Sequence, residues 1–240
     1  MNAISTDQSA VQVFLKSWRV YQDIIRNNYM YHREISDAVR AALESYRAND
    51  QFRILDLGSG DGSMTLPLIS ANRIDAYIGC DLSKPALDIA EEQIKTLGIS
   101  AQLICDDMLK VVSEQPDHSA DLVYSSYAIH HLNTPQKQQM VGEIARVLAP
   151  GGLFVLIDIF LEPDEDRAAY MRHYMGRLKE TWTALSSEAQ DLIVNHATTY
   201  DFPEHPEFYG KLLGKHGFSN ASLLAKHTWH EAWCFTNPMH

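Results

Sequence analysis

One stretch limits what this chain can fold into: Phe52-Arg53-Ile54-Leu55-Asp56-Leu57-Gly58-Ser59-Gly60-Asp61-Gly62. A short apolar run carries an acid near its end, and three glycines follow at alternate positions. The run Phe52 to Leu57 has the length and apolar density of a strand buried in a parallel sheet. Glycines supply positive φ and let the backbone pass close to a ligand, because no Cβ intervenes. A turn of this kind between strand and helix is where a doubly wound sheet binds nucleotides. The dinucleotide pattern Gly-x-Gly-x-x-Gly is not met, because Gly62 comes one residue early. A second apolar run, Ala76 to Cys80, ends at Asp81, which lies 21 residues beyond Gly60. One βαβ step needs about that length, and an acid at the second strand's tip can accept both hydrogen bonds of a ribose diol. The spacing supports a nucleoside without choosing which.

Two further segments narrow the reading. Asp121-Leu122-Val123-Tyr124-Ser125-Ser126-Tyr127-Ala128-Ile129-His130-His131-Leu132 is a fourth buried strand and its exit loop. Arg146-Val147-Leu148-Ala149-Pro150-Gly151-Gly152 leads into a fifth strand, Leu153 to Asp158. Residues 54–62 resemble the first motif of class I S-adenosylmethionine-dependent methyltransferases. Residues 121–132 resemble the fourth motif as small-molecule members write it. Nucleic-acid amino-methyltransferases carry Asn/Asp-Pro-Pro-Tyr/Phe there, and this segment has no proline. The Pro-Gly-Gly segment and its strand are similar to the same class, and nothing in NAD-binding folds predicts them.

The resemblance implies an α/β fold: a seven-stranded Rossmann-like methyltransferase sheet, mostly parallel, with a terminal antiparallel hairpin. It implies S-adenosyl-L-methionine as donor and S-adenosyl-L-homocysteine as product. Asp56 would meet the donor's ammonium, and Gly58, Ser59, Gly60 and Gly62 would pass close to its amino-acid part. Asp81, followed by Leu82, would take the ribose. Asp106 would face the adenine amino group, with Asp107 beside it as a contact or helix cap and Met108 as an apolar wall. Ser125 at the fourth strand's tip and His32 from the N-terminal segment complete the cofactor candidates. Catalytic candidates are His130, His131 and Tyr127. Two adjacent histidines cannot both point one way, so one can act as a base while the other is structural. No metal is expected, because a bare histidine pair lacks the usual ligand spacing.

Other elements follow from periodicity. Val11, Phe14, Leu15, Trp18 and Tyr21, then Ile35, Ala38, Val39, Ala42 and Leu43, recur at helical intervals. Residues 1–48 are therefore expected as a helical lid over residues 49–240, with Tyr31, His32 or Arg33 touching cofactor or substrate. A helix is expected over Ser63–Ala71 and another over Lys84–Leu97, capped by Ser83 and stopped by Gly98. A strand is expected over Ala101–Cys105, and residues 111–119 are expected to be irregular. Pro135–Leu148 reads as a helix capped by Thr134. After the fifth strand, 162–203 reads as an inserted helical cap, Ala168–Thr183 then Ser186–Ala197, rich in aromatic residues and methionine. Phe208–His216 is the last helix. Residues 221–226 and 229–236 are the closing hairpin, with His227 and His230 at its surface.

The formal net charge is -11, a poor match for a polyanion. Cys80, Cys105 and Cys234 are odd in number and widely spaced, which reads as buried thiols in a reducing compartment. The N-terminus lacks a basic region and an apolar core, and no run approaches a membrane span, so a cytoplasmic protein is expected. Partners are then a small-molecule acceptor, with no nucleic acid and no membrane, in a monomer or homodimer. The expected reaction moves a methyl group to an O or N atom of a metabolite, in secondary metabolism, by direct displacement. A nicotinamide-dependent reductase and a non-catalytic donor-binding protein are the alternatives.

Overall fold

A computed structural model describes residues 19–46, 50–69, 73–218 and 220–238. Val11, Phe14, Leu15 and Trp18 of the first expected helix lie outside the described residues. Seven strands form one sheet: β1 (Phe52–Leu57), β2 (Ile74–Cys80), β3 (Ala101–Ile104), β4 (Ala120–Ser126), β5 (Leu148–Ile159), β6 (Asn220–His227) and β7 (His230–Thr236). Their order is β3-β2-β1-β4-β5-β7-β6. The first five are parallel, and β7 runs antiparallel between β5 and β6. The chain moves outward from β1 to β3, then returns to the other side of β1 at β4. That reversal opens a crevice at the carboxyl ends of β1 and β4.

The register explains why the central strands read as continuous apolar runs. Leu55 pairs with Ile78 and Val123, and Val123 pairs with Phe154. Ile54, Leu122, Tyr124, Val155 and Ile157 point to one face, while Leu55, Leu57, Val123, Phe154 and Leu156 point to the other. Both faces are covered, so both sets are buried. Each such side chain contributes on the order of 1.5–3 kcal/mol by leaving water.

Residues 19–26 are helical (α1). The remaining helices are α2 (His32–Ser45), α3 (Lys84–Leu97), α4 (Met108–Glu114), α5 (Thr134–Val147), α6 (Arg167–Thr181), α7 (Ser187–Tyr200) and α8 (Pro206–Gly214). Helix α2 buries Ile35, Val39 and Leu43 as its periodicity predicts, and packs on β6 and β7. Ser83 caps α3, accepting a hydrogen bond from Ala86 N–H, and Gly98 ends it at φ 67°.

Several expectations are corrected. In place of an α-helix over Ser63–Ala71, the described residues form only a 3-10 turn at Leu66–Leu68. Pro67 has no N–H to return to the preceding turn, which stops an α-helix at its start. Residues 111–114 are not irregular: they finish α4, because the Asp107 carboxylate accepts from the N–H groups of Leu109 and Lys110. The cap of α5 is Asn133, not Thr134, in a reciprocal capping box with Gln136. The Pro-Gly-Gly segment lies within β5 as a ladder irregularity. Cys80 is buried, but Cys105 is exposed. His230 is buried rather than superficial, inside an aromatic cluster with Tyr127 and Tyr174. Among the described residues no helix is long and apolar enough to cross a membrane.

Candidate active site

A cavity of about 470 Å³ opens at the tips of the parallel strands. Its floor begins at the turn after β1. Gly58 and Gly62 both sit at φ 75°, where a Cβ would crowd the following carbonyl. At Gly58 a Cβ would also stand 2.4 Å from Ala128 Cβ, and at Gly62 one would stand 2.7 Å from Leu66 Cδ1. The first glycine admits the loop after β4, and the second admits the turn that follows it.

The acids at the strand tips take distinct positions. Asp81 accepts from Gly60 N–H at 2.9 Å and from Ser83 N–H at 2.7 Å, so it braces the glycine turn. Burial raises its pKa. A carboxylate has about four lone-pair sites, so capacity for a diol remains. Asp56 is buried and accepts from the Tyr77 hydroxyl at 2.7 Å. Burial pushes its carboxyl up to about 7, against the pull of its Thr65 and Tyr77 donors. Asp106 pairs with Lys110, which holds its carboxyl below the usual range, and Asp107 serves as the α4 cap.

Of the expected cofactor residues, Asp56, Gly58, Ser59, Gly60, Asp81, Leu82, Asp106, Asp107 and Met108 line this cavity. Three do not. Gly62 packs on Leu66 beneath the turn. Ser125 is fully buried and donates to Leu57 O at 2.9 Å, where it ties β4 to β1. His32 is buried against Tyr21 and Tyr127, and its ring nitrogens make no hydrogen bond. Burial lowers its pKa to about 4. The segment before α2 reaches the cavity instead, through Tyr21, Ile24 and Met30.

Tyr31 is also a docking residue. Its hydroxyl accepts from Arg177 at 2.9 Å, and its ring stacks on His227 at 4.5 Å. Tyr29 stacks on Trp182 at 5.0 Å, and its hydroxyl accepts from Ala184 N–H at 2.8 Å. Tyr29 and Tyr31 are thus fastened to α6, to the residues just after it and to β6. Tyr127 belongs to the same fastening: its hydroxyl donates to Met30 O at 2.7 Å. That bond commits its proton, and burial holds the phenol well above its ordinary pKa, while the ring lines the cavity.

The cavity lining also contains a histidine–carboxylate cluster. His130 and His131 come from a 3-10 turn after β4, Asp158 from the end of β5, His196 from α7, and Asp201 from the α7 exit. Asp158 accepts from His130 N–H at 2.9 Å and bonds its Nδ1. His130 Nε2 then faces Asp201 Oδ1 at 3.6 Å. His131 Nδ1 lies 3.4 Å from the same oxygen, and His196 Nε2 lies 4.0 Å from it. Burial lowers the His130 pKa, but the facing carboxylates of Asp158 and Asp201 reverse this and raise it overall. Burial alone would raise Asp201, yet the His130 and His131 rings hold it well below the usual carboxylate range. Burial pulls His196 down to about 4. The cluster can store a proton beside the cavity. Asp158, His196 and Asp201 escaped the sequence reading, because nothing local to them marks them as partners of the histidine pair.

The cavity suits a cationic nucleoside better than a pyrophosphate. Six aspartates line it, at 56, 61, 81, 106, 107 and 201, and no lysine or arginine is among the described lining residues. A dinucleotide's phosphates would meet repulsion there, whereas a sulfonium with an ammonium would be attracted.

Comparison with known proteins agrees. Residues 54–152 match the family model of a methyltransferase domain. An uncharacterized methyltransferase of Anoxybacillus flavithermus is 25% identical over 199 residues, covering 83% of this chain and 84% of that protein. A tRNA N(3)-cytidine methyltransferase of Danio rerio is 28% identical, over only 46% of this chain and 33% of its own length. Among solved structures, the 1,6-didemethyltoxoflavin-N1-methyltransferase of Burkholderia thailandensis, with bound 1,6-didemethyltoxoflavin and S-adenosylhomocysteine, aligns at a TM-score of 0.64 and 15% identity. That alignment covers 100% of this chain and 92% of the other, a likeness of fold.

Proposed function

The chain is a class I S-adenosylmethionine-dependent methyltransferase, and from that premise we propose that it methylates an O or N atom of a small molecule held beneath the lid and cap. The observation that carries this reading is the rest of the cavity lining. Besides the proposed donor residues it includes Tyr21, Ile24, Trp182, Ile193 and Tyr200, together with His130, His131, His196 and Asp201. A lining that is mostly apolar with a few convergent polar groups suits a small planar acceptor. Its acidic lining and the net charge of -11 oppose a polyanion, so tRNA is not the proposed acceptor.

In this reading Asp81 would hold the ribose diol, Asp106 and Met108 the adenine, and Asp56 the ammonium, with the Gly58–Gly60 turn beneath the amino-acid part. Bound there, S-adenosylmethionine supplies a methyl group on a sulfonium, already an excellent leaving group. The protein's own task is alignment and exclusion of water. In this reading residues 19–46, as the described part of a lid, and 162–203, as cap, would provide both. The cluster takes the proton that an O–H or N–H acceptor must lose. We assign that step to His131: its Nδ1 faces Asp201 and the Tyr200 carbonyl, both at 3.4 Å, which leaves Nε2 for the acceptor. His130, clamped by Asp158, orients Asp201.

The test is a transfer assay with methyl-labelled donor against phenols, N-heterocycles, active-methylene carbon acceptors and bulk tRNA. Label in a phenol or heterocycle is the expected result. Label in tRNA or carbon acceptors alone would sink the reading.

A further inference from the structure

The histidine–carboxylate cluster has the dimensions of a cation site. His130, His131 and Asp201 each offer one ligand atom, and these atoms lie within 4.8 Å of one another. In a tetrahedral site with metal–nitrogen and metal–oxygen bonds near 2.0–2.1 Å, neighbouring ligand atoms stand roughly 3.3 Å apart. Asp201 Oδ1 is 3.6 Å from His130 Nε2 and 3.4 Å from His131 Nδ1. The spacing is therefore close to that of a coordination shell without rearrangement of the backbone.

Two independent features point the same way. Asp201 Oδ1 is buried and accepts no hydrogen bond of good geometry, an expensive state for a carboxylate oxygen unless a cation faces it. His130 gives its other ring nitrogen to the buried carboxylate of Asp158. That fixes the tautomer with Nε2 as lone-pair donor, as in carboxylate–histidine–metal arrangements. The nearby buried cation, Lys137, turns away, bonding Phe202 O and lying 3.8 Å from Glu204. His196 Nε2, 4.0 Å from Asp201 Oδ1, stands on the cavity side of the group as an outer neighbour.

We propose that His130 Nε2, His131 Nδ1 and Asp201 Oδ1 bind a borderline divalent transition ion of the zinc or cobalt class. Two imidazoles and one carboxylate match that class, whereas magnesium and calcium prefer oxygen ligands alone. Three protein ligands leave a fourth position for water on the cavity side. The ion would join the loop after β4 to the exit of the cap, two segments 70 residues apart, and so lock the cap down. It would also displace the stored proton and engage His131, which makes it an inhibitor of transfer. That last consequence rests on the role given to His131 above; the binding itself does not.

The experiment is a titration of the purified full chain with Co(II), read by visible absorption, and with Zn(II), read by calorimetry. S-adenosylhomocysteine affinity is measured on every variant as the control for folding. One ion per chain is expected, with affinity lost at least tenfold in His131→Ala and in Asp201→Asn. Asp158→Asn should weaken it about tenfold through the second nitrogen of His130. His216→Ala, outside the cluster, should leave it unchanged. Absence of a one-to-one ion, or equal affinity in wild type and His131→Ala with S-adenosylhomocysteine binding intact, would overturn the site whatever the acceptor proves to be.

Discussion

The two halves of the cavity are built in opposite ways. The donor half is a set of short turns, each at the tip of its own strand: Asp56 to Gly60 after β1, Asp81 after β2, Asp106 to Met108 after β3. Neighbouring turns brace one another, as when Asp81 accepts from Ser83 N–H beside it and from Gly60 N–H in the turn after β1. The acceptor half has no such unit. His131 meets Asp201 across 70 residues of chain, His130 meets Asp158 across the β4–β5 crossover, and Tyr127 holds Met30 from 97 residues away. On the proposed reading, the contrast would mean that the strand-tip turns bind the donor, while side chains gathered from separate parts of the chain meet the acceptor.

Substitutions can test that division, beginning with the largest expected effect. Gly58→Ala combines a left-handed φ with a 2.4 Å overlap on Ala128, at a cost of about 3 kcal/mol or more. It should abolish calorimetric binding of S-adenosylhomocysteine and lower Tm. His131→Ala should do the reverse. Turnover should fall about 100-fold, while S-adenosylhomocysteine affinity stays within twofold; a joint loss would erase the distinction between the halves.

Acidity separates the halves further. On the proposed reading, the Asp56 carboxyl, pushed up to about 7 by burial, would have to ionise to balance the donor's ammonium. Donor affinity should therefore weaken by up to tenfold per pH unit as pH falls below 7, and Asp56→Asn should flatten the dependence. The smallest effect is on stability. Burial holds His32 near 4, His196 near 4 and His230 near 3. As pH falls below the ordinary histidine value of about 6.5, the unfolded chain takes up protons that the folded one refuses. Each group then removes roughly 1.4 kcal/mol per pH unit until its own folded value is reached. His130, Asp56 and Asp81 work the other way: their raised pKa values contribute stability as pH falls, lost as pH rises through the folded values. In urea unfolding at pH 7.5 and 5.5, His32→Leu should keep more of its stability at the lower pH than the wild type does.

The sheet was legible because its signals are short-range. Buried strands read as apolar runs, Gly98 ended its helix, and Ser83 capped it, all from residues within one turn. Errors arose where neighbouring signals competed. Asn133 and Thr134 are both caps by type, and only the reciprocal bond with Gln136 selects Asn133. The short run 108–114 is too brief for a clear period, and its cap, Asp107, doubled as a candidate ligand. His32 and Tyr127 carried functional chemistry by residue type, yet packing assigned both to the seam between lid and sheet.

The sequence alone marked the apolar runs of the strands, the glycine turn after β1 and the acids at the strand tips, because each is a short-range signal; the order in which the strands pair is set by the tertiary structure. Only the tertiary structure decided which side chains gather around the histidine pair. Asp201 carries no mark in the chain that pairs it with His130 and His131. The exit of α7 returns it, its buried Oδ1 without a hydrogen bond, to within 3.4 Å of one of those rings and 3.6 Å of the other.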